Sequence, residues 1–214
     1  MSDLTLVMGN KAYSSWSLRP WLALKQTGQR FEEVVIPLRQ PETKASILRH
    51  SPGGKVPVLH HGDTTVWESI AICEYIAETF PQAHLWPAAA PARAVARSVA
   101  AEMHAGFADL RRNLPMDLKE KRSDASRTPE CEADIARITQ IWRDARGRFG
   151  IDGPFLFSRF SIADALFAPV VTRFDTYGVP LDPVCRAYAE AVLDLPAMRE
   201  WHAAAKAEPW TINF

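Results

Sequence analysis

The first part of the chain, residues 1–82, alternates between strand-like and helix-like hydrophobic patterns. Short runs rich in Val, Ile, Leu and aromatic residues predict strands, whereas apolar residues three and four positions apart predict helices. The predicted strands are 4–8, 31–36, 57–60 and 64–67, and the predicted helices are 18–27, 42–49 and 69–80. A His-Gly-Asp turn joins the last two strands as a hairpin. The order βαβαββα predicts a small α/β domain.

The second part, residues 91–214, keeps only helical spacing, because its apolar residues recur in steps of three and four. The predicted helical segments are 95–114, 135–149, 162–177 and 186–193, with a last one after Pro196. Three prolines within residues 81–91 interrupt any helix there. We therefore expect residues 83–90 to be an extended linker between the α/β domain and an all-helical domain.

Composition excludes several classes of partner. The 214 residues include 25 basic and 25 acidic side chains, so the formal net charge is zero at neutral pH. A neutral chain without a basic cluster among aromatic residues is not expected to bind nucleic acid. No apolar run approaches the ~20 residues that span a membrane, and the N-terminus does not have the pattern of a secretory signal. These features favour a globular cytoplasmic protein.

The cysteines and histidines show no pattern of a disulfide framework or a metal site. Cys73, Cys131 and Cys185 are far apart and form no C-x-x-C pair, which predicts reduced thiols. The six histidines lack the spacing of zinc ligands. No bound metal is therefore predicted.

Two neighbouring segments suggest a site for an extended, amino-acid-like ligand. Pro57 interrupts a strand pattern, and a bend there, such as a cis Val56–Pro57 bond, would turn the peptide groups of Val56 outward. Ser69 begins a predicted helix, whose unpaired N–H groups attract a carboxylate, and Glu68 beside it suits an ammonium group. The alternative is purely structural: an edge strand containing proline, followed by a helix with Ser69 as its cap and Glu68 against its dipole.

The stretch AYSSWSLRPW contains three serines directly before a predicted helix. Pro20 has no N–H group and fits best in the first turn, which favours Ser17 as the N-cap. Ser14 and Ser15 would then lie in the preceding loop. Spacing alone leaves open whether they are structural or catalytic.

Taken in order, these motifs resemble the glutathione S-transferases, whose thioredoxin-like domain is followed by an all-helical domain. The likeness rests on G-x-V-P-x-L before the hairpin, on Glu68-Ser69 at the last helix, and on S-x-x-D at Ser161 and Asp164. The last motif predicts a structural capping box. The resemblance implies a transferase of the alkyl or aryl type, active as a homodimer in detoxification.

The resemblance also implies roles for particular residues. The pattern S-S-x-S is similar to the zeta class of this family, which makes Ser14 the catalytic donor to the thiol of glutathione, with Ser15 as the alternative. Trp16 stands where the zeta motif has cysteine, which weighs against zeta-type isomerisation more than against glutathione binding. Glutathione is then the co-substrate, and its predicted binding residues are Ser15, Lys55, Val56, Glu68 and Ser69.

In this family the second substrate binds between the domains, which places a predicted electrophile pocket on the first long helix of the second domain. Its candidates are Met103, His104, Phe107 and Arg111, which share one helical face. The alternative places the apolar pair in the core and makes Arg111 a surface ion pair. Two other functions stay open: a zeta-like maleylacetoacetate isomerase that uses glutathione as cofactor, and a non-catalytic glutathione-binding protein.

Overall fold

The computed structural model describes residues 3–123 and 125–214, and it confirms a thioredoxin-like α/β half followed by a helical half. The strands are β1 (Leu4–Gly9), β2 (Glu32–Ile36), β3 (Val58–His61) and β4 (Thr64–Trp67). The helices are α1 (Ser15–Thr27), α2 (Thr43–Leu48), α3 (Ser69–Thr79), α4 (Ala90–Ala105), α5 (Ala108–Asn113), α6 (Pro129–Phe149), α7 (Ile162–Thr176), α8 (Pro183–Leu193) and α9 (Pro196–Ala207), with a short 3-10 turn at Pro81–Ala83. No helix in these described ranges is long and apolar enough to cross a membrane.

The four strands form one mixed sheet in the order β2-β1-β3-β4. β1 pairs in parallel with β2 and antiparallel with β3, which in turn forms the hairpin with β4. Successive side chains of a strand face opposite sides. Leu6 and Met8 accordingly join the core beneath α1 and α3, while Val7 joins a smaller cluster with Ile47 of α2. The strand ends and the starts of α1 and α3 therefore meet at one edge of the sheet.

The helical half packs directly on α1, through α7 and α9. The rings of Trp21 and Trp201 lie 5.0 Å apart at this contact. The carboxylate of Glu208 accepts hydrogen bonds from the backbone N–H groups of Lys11, at 2.7 Å, and Ala12, at 3.1 Å. These contacts fix the loop that precedes α1 from both sides.

The start of α1 differs from the prediction. The helix begins at Ser15, so Ser17 lies inside its first turn and Pro20 lies further along the helix. The prediction that Ser17 is the N-cap is wrong, because its hydroxyl is used elsewhere. The buried Ser17 Oγ accepts hydrogen bonds from the N–H of Gly9, at 3.1 Å, and from the Ser14 hydroxyl, at 2.8 Å. Ser17 thereby ties the end of β1 to α1.

The predicted helix over residues 95–114 is two helices. α4 ends at Ala105, and Phe107 has a left-handed backbone with φ of 63° before α5 begins. A side chain at Gly106 would place its Cβ 2.9 Å from the carbonyl oxygen of Glu102, so the close turn at this point suits glycine. The break means that His104 and Arg111 do not share one helical face, contrary to the prediction.

Candidate active site

A cavity of about 520 Å³ opens where β1, β3 and the starts of α1 and α3 meet. We call it the first cavity. It brings together the six residues of the α/β half predicted to handle glutathione, namely Ser14, Ser15, Lys55, Val56, Glu68 and Ser69. The remaining lining residues are Tyr13, Trp16, Leu38, Ile47, Ser51, Gly53, Gly54, Pro57 and Trp67. Three segments that are distant in sequence thus converge on one space.

Ser14 occupies the N-cap position of α1, yet its side chain caps no backbone group. The buried Ser14 hydroxyl instead bonds to Ser17 Oγ. Hydroxyl groups rotate freely about the C–O bond, so this proton can turn toward a ligand in the cavity at little cost. Ser15 is also buried, and it follows directly at the first position of the helix.

The segment before β3 is shaped by Ser51, whose hydroxyl accepts a hydrogen bond from the N–H of Lys55 at 3.3 Å. The Val56–Pro57 peptide bond is cis, which is the bend suggested by the sequence. The backbone N–H and C=O of Val56 take part in none of the hydrogen bonds formed between described residues. They are therefore available to an extended peptide lying in the cavity.

The start of α3 combines hydrogen-bond donors with one carboxylate. Glu68 has a positive φ of 68°, and α3 has no side-chain cap. An uncapped helix start leaves backbone N–H groups free for an anion. Ser69 is almost fully buried beside these groups, whereas about half of the Glu68 side chain is exposed. The arrangement fits a ligand end that carries a carboxylate and an ammonium group.

A second cavity of about 530 Å³ adjoins the first, and both are lined by Tyr13, Ser15 and Trp16. The helical half and the C-terminal segment complete it with Arg39, Arg111, Arg112, Pro115, Met116, Arg173 and Phe214. The second cavity is therefore cationic and aromatic.

Arg111 and Arg173 are held in place by backbone carbonyl groups. Arg111 donates through Nε to Gly106, at 3.1 Å, and Arg173 donates through Nε to Leu114, at 2.8 Å. No ion pair within the described ranges includes either side chain. Burial lowers the pKa of both guanidinium groups, and with the charge of Arg111 it lowers the pKa of Arg173 to about 9. These two cations lack a carboxylate partner next to an open space.

The predicted electrophile pocket needs correction. Met103 and Phe107 belong to the hydrophobic core and line neither cavity, because the break after α4 turns them inward. His104 lies at the side of Trp16, with ring centroids 5.3 Å apart, and its Nε2 is 3.8 Å from Glu68. Burial, followed by the charge of nearby Arg19, lowers the pKa of His104. Of the four candidates, only Arg111 lines a cavity.

Sequence reasoning missed Arg19 and Arg173, both buried cations close to this region. The signal was present, since each is a single charge within a mostly apolar helical stretch. Arg39 and Phe214 reach the second cavity from distant parts of the chain, and no local pattern marks them.

The thiols of the protein take no part in either cavity. Cys73, Cys131 and Cys185 are free and buried, and burial raises the pKa of Cys73 to about 12. Within residues 3–123 and 125–214, no group of three or more His, Cys, Asp or Glu side chains is placed to hold a metal ion.

Two family models match most of the chain. Residues 13–79 match the N-terminal domain of glutathione S-transferases, and residues 93–204 match the C-terminal domain. The second match alone covers more than half of the sequence.

Individual relatives are more distant. The chain is 24% identical to a probable maleylacetoacetate isomerase of Caenorhabditis elegans over 194 residues, which are 88% of this chain and 87% of that protein. A glutathione transferase homolog from Burkholderia GL BGR1, solved with bound glutathione, has a TM-score of 0.73 and 24% identity, over 96% of this chain and 99% of that one. The tau class glutathione S-transferase of mango has a TM-score of 0.72 and 20% identity, covering 95% and 96%. The two structures show a shared fold.

Proposed function

Because this chain belongs to the glutathione S-transferase family, we propose that it is a glutathione transferase that attacks a small carboxylated electrophile with the thiolate of glutathione. One observation carries the proposal. The residues expected to contact glutathione line one cavity, and that cavity shares Tyr13, Ser15 and Trp16 with a second, cationic one. A peptide thiol in the first cavity could therefore meet a substrate in the second.

The proposed binding mode uses each part of the first cavity for one part of glutathione. The backbone of Val56 pairs with the cysteinyl peptide groups. Glu68 accepts from the γ-glutamyl ammonium group, while Ser69 and the start of α3 hold the adjacent carboxylate. Lys55 and Ser15 are further donors on the cavity wall.

Ser14 is the proposed donor to the sulfur. A thiol titrates near pH 8.5, and lowering its pKa by about 2 units requires roughly 2.7 kcal/mol in favour of the thiolate. A hydrogen bond from Ser14 to the charged sulfur contributes about 1.5–3 kcal/mol, and the start of α1 adds about 0.3–1 kcal/mol. When Ser14 turns to the sulfur, the Ser17 hydroxyl can donate to Ser14 Oγ while still accepting from Gly9.

The second cavity selects the electrophile in this proposal. Arg111 and Arg173 present positive charge without a carboxylate partner in the described chain, so an anionic substrate would supply it. Trp16 and Tyr13 offer flat apolar surfaces beside them. In the reaction the sulfur forms a bond to the electrophilic carbon, and the leaving group departs with the electron pair of the bond that breaks.

A second candidate is the isomerisation of maleylacetoacetate. It is favoured by the likeness to the Caenorhabditis elegans protein along most of both chains, and the cationic cavity would also suit that dicarboxylate. Trp16 in place of the cysteine of the zeta motif weighs against it. Homodimer formation, a cytoplasmic location, a role in detoxification and the domain boundaries at 82 and 91 stay predictions.

A matched pair of substrates tests the proposal. We expect conjugation of 4-chloro-3-nitrobenzoate to exceed that of the neutral 4-chloro-3-nitrobenzamide by about tenfold in kcat/KM, because a charge-assisted pair is worth about 1.5 kcal/mol or more. The preference should disappear in Arg111→Met and Arg173→Met. Equal rates for both compounds would contradict the carboxylate preference, and turnover of maleylacetoacetate without glutathione consumption would favour the isomerase.

A further inference from the structure

Arg19 is the most unusual charged residue near the first cavity. It lies on α1, four positions after Ser15, and its side chain is completely buried. Its Nη1 donates to Ser69 Oγ at 3.5 Å, and its guanidinium group lies 4.2 Å from the ring centroid of Trp16. Arg19 thus stands directly behind the start of α3.

The described part of the protein supplies no countercharge for this group. None of its ion pairs includes Arg19, and Nε and Nη2 have no hydrogen-bond partner. Burial, followed by the positive charges of Arg111 and Arg173, holds the pKa of Arg19 well below its usual value. A buried charge without a partner is strongly unfavourable, so an anion that entered this region would be bound firmly.

The hydrogen bond to Ser69 directs that charge toward the first cavity. Ser69 lines the cavity wall, and its oxygen accepts from Arg19. A hydroxyl that accepts on one side is free to donate on the other. Glu68 does not neutralise Arg19, because its half-exposed carboxylate lies beside His104 instead. The start of α3 therefore combines free backbone donors, an oriented hydroxyl and a buried cation.

We infer that Arg19 is a positioning residue for the γ-glutamyl carboxylate of bound glutathione, which it orients through Ser69 and whose charge it balances. The inference rests on the proposed function, since it concerns the same bound tripeptide. It assigns to Arg19 a role beyond packing against Trp16. It also explains how an unpaired guanidinium is tolerated: the ligand completes the ion pair.

Two ligands and three variants test this role in the full-length protein. The ligands are glutathione and 4-aminobutyryl-cysteinyl-glycine, which keeps the ammonium group and lacks only the γ-glutamyl carboxylate. The variants are Arg19→Met, Arg19→Lys and the control Arg146→Met. Arg146 is matched because it too donates to backbone carbonyls, those of Gly153 and Phe155, but it lines neither cavity. Affinities are measured by calorimetry, and Tm is measured with and without ligand.

We expect the parent to bind glutathione about tenfold or more tightly than the analogue, as a charge-assisted contact predicts. Arg19→Met should lose most of this preference by weakening glutathione alone, and Arg19→Lys should restore a part of it. The ligand-free Tm of Arg19→Met should equal or exceed that of the parent, because a buried unpaired charge has been removed. Arg146→Met should lower Tm and keep the full preference.

Each other outcome overturns a stated claim. If the parent discriminates between the two ligands and Arg19→Met discriminates equally well, the role of Arg19 is refuted and the proposed function stands. If Arg19→Met lowers Tm and weakens both ligands alike, Arg19 is only a packing residue. If the parent binds the two ligands equally, the carboxylate anchor at Ser69 fails, and the inference fails with it.

Discussion

Helices α1 and α7 both have a buried serine at the N-cap, and the two serines are used in opposite ways. At α7, Ser161 and Asp164 form a capping box that satisfies the helix start internally. At α1, Ser14 caps nothing and lines a cavity. The same residue type at the same position is therefore structural in one half of the molecule and available for chemistry in the other.

The start of α7 is closed by three hydrogen bonds to one carboxylate. Asp164 accepts from the N–H of Leu156, at 3.1 Å, and from the N–H and hydroxyl of Ser161, at 2.8 and 2.9 Å. All of these groups are buried, so no site for a ligand remains. The helix starts at Thr128 and Asp182 are likewise capped by their own side chains.

The starts of α1 and α3 remain open, and both face the first cavity. Neither has a side-chain cap, although Ser14 at one and Glu68 at the other could supply an acceptor. An open helix start is less stable than a capped one by about 0.5–2 kcal/mol. The contrast teaches that a serine left unused by its helix is a better pointer to a site than the serine alone.

Asp164→Ala gives the largest expected effect on stability, because it opens the closed helix start. Three buried donors lose a charged acceptor, which should lower the free energy of unfolding by about 3–5 kcal/mol. Urea denaturation measures this change. Glutathione affinity of the folded variant should stay within about twofold of the parent, since a positive charge or donor of the cavity is not touched. A fully stable variant would contradict the role of Asp164.

The same carboxylate should give a smaller, pH-dependent effect. Burial raises the pKa of Asp164 to about 6, against the opposing effect of its hydrogen bonds. The folded pKa exceeds the unfolded value, so the folded state holds the extra proton between pH 4 and pH 6, and stability from this group falls as pH rises through that window. We expect the stability of the parent relative to Asp164→Asn to fall by about 2–3 kcal/mol from pH 4 to pH 7. A pH-independent difference in urea unfolding would refute the shifted pKa.

Much of this contrast was visible in the sequence, and the rest depends on contacts distant in sequence. Hydrophobic periodicity predicted the strands and most helices, and S-x-x-D predicted the box at Ser161. The start of α1 was misplaced because Pro20 was expected in the first turn, whereas the hydrogen bonds of Ser17 to Gly9 and Ser14 decide where the helix begins. The break at Phe107 was missed because the apolar spacing continues across it.

The candidate site divides in the same way. The six residues of the first cavity lie in three local motifs, each of which has a recognisable chemical pattern. The second cavity is assembled from α5, α7 and the C-terminal segment, so its arginines meet only after the helical half packs on α1. Local patterns could not show that Met103 is buried while Arg173 lines a cavity.

Ser14→Ala should have the smallest effect on stability and the most informative effect on chemistry. Because Ser14 makes no cap bond, its loss should change the free energy of unfolding by only about 0.5–1 kcal/mol, the value of its one bond to Ser17. Ser15→Ala is the matched variant at the neighbouring position.

The most direct measurement is the ultraviolet absorbance of the thiolate of bound glutathione, titrated against pH in the parent, Ser14→Ala and Ser15→Ala. The account predicts a thiol pKa about 2 units below that of free glutathione in the parent and in Ser15→Ala, and a return to near the free value in Ser14→Ala. A Ser14→Ala protein that binds glutathione with the thiol still ionised at neutral pH would contradict it.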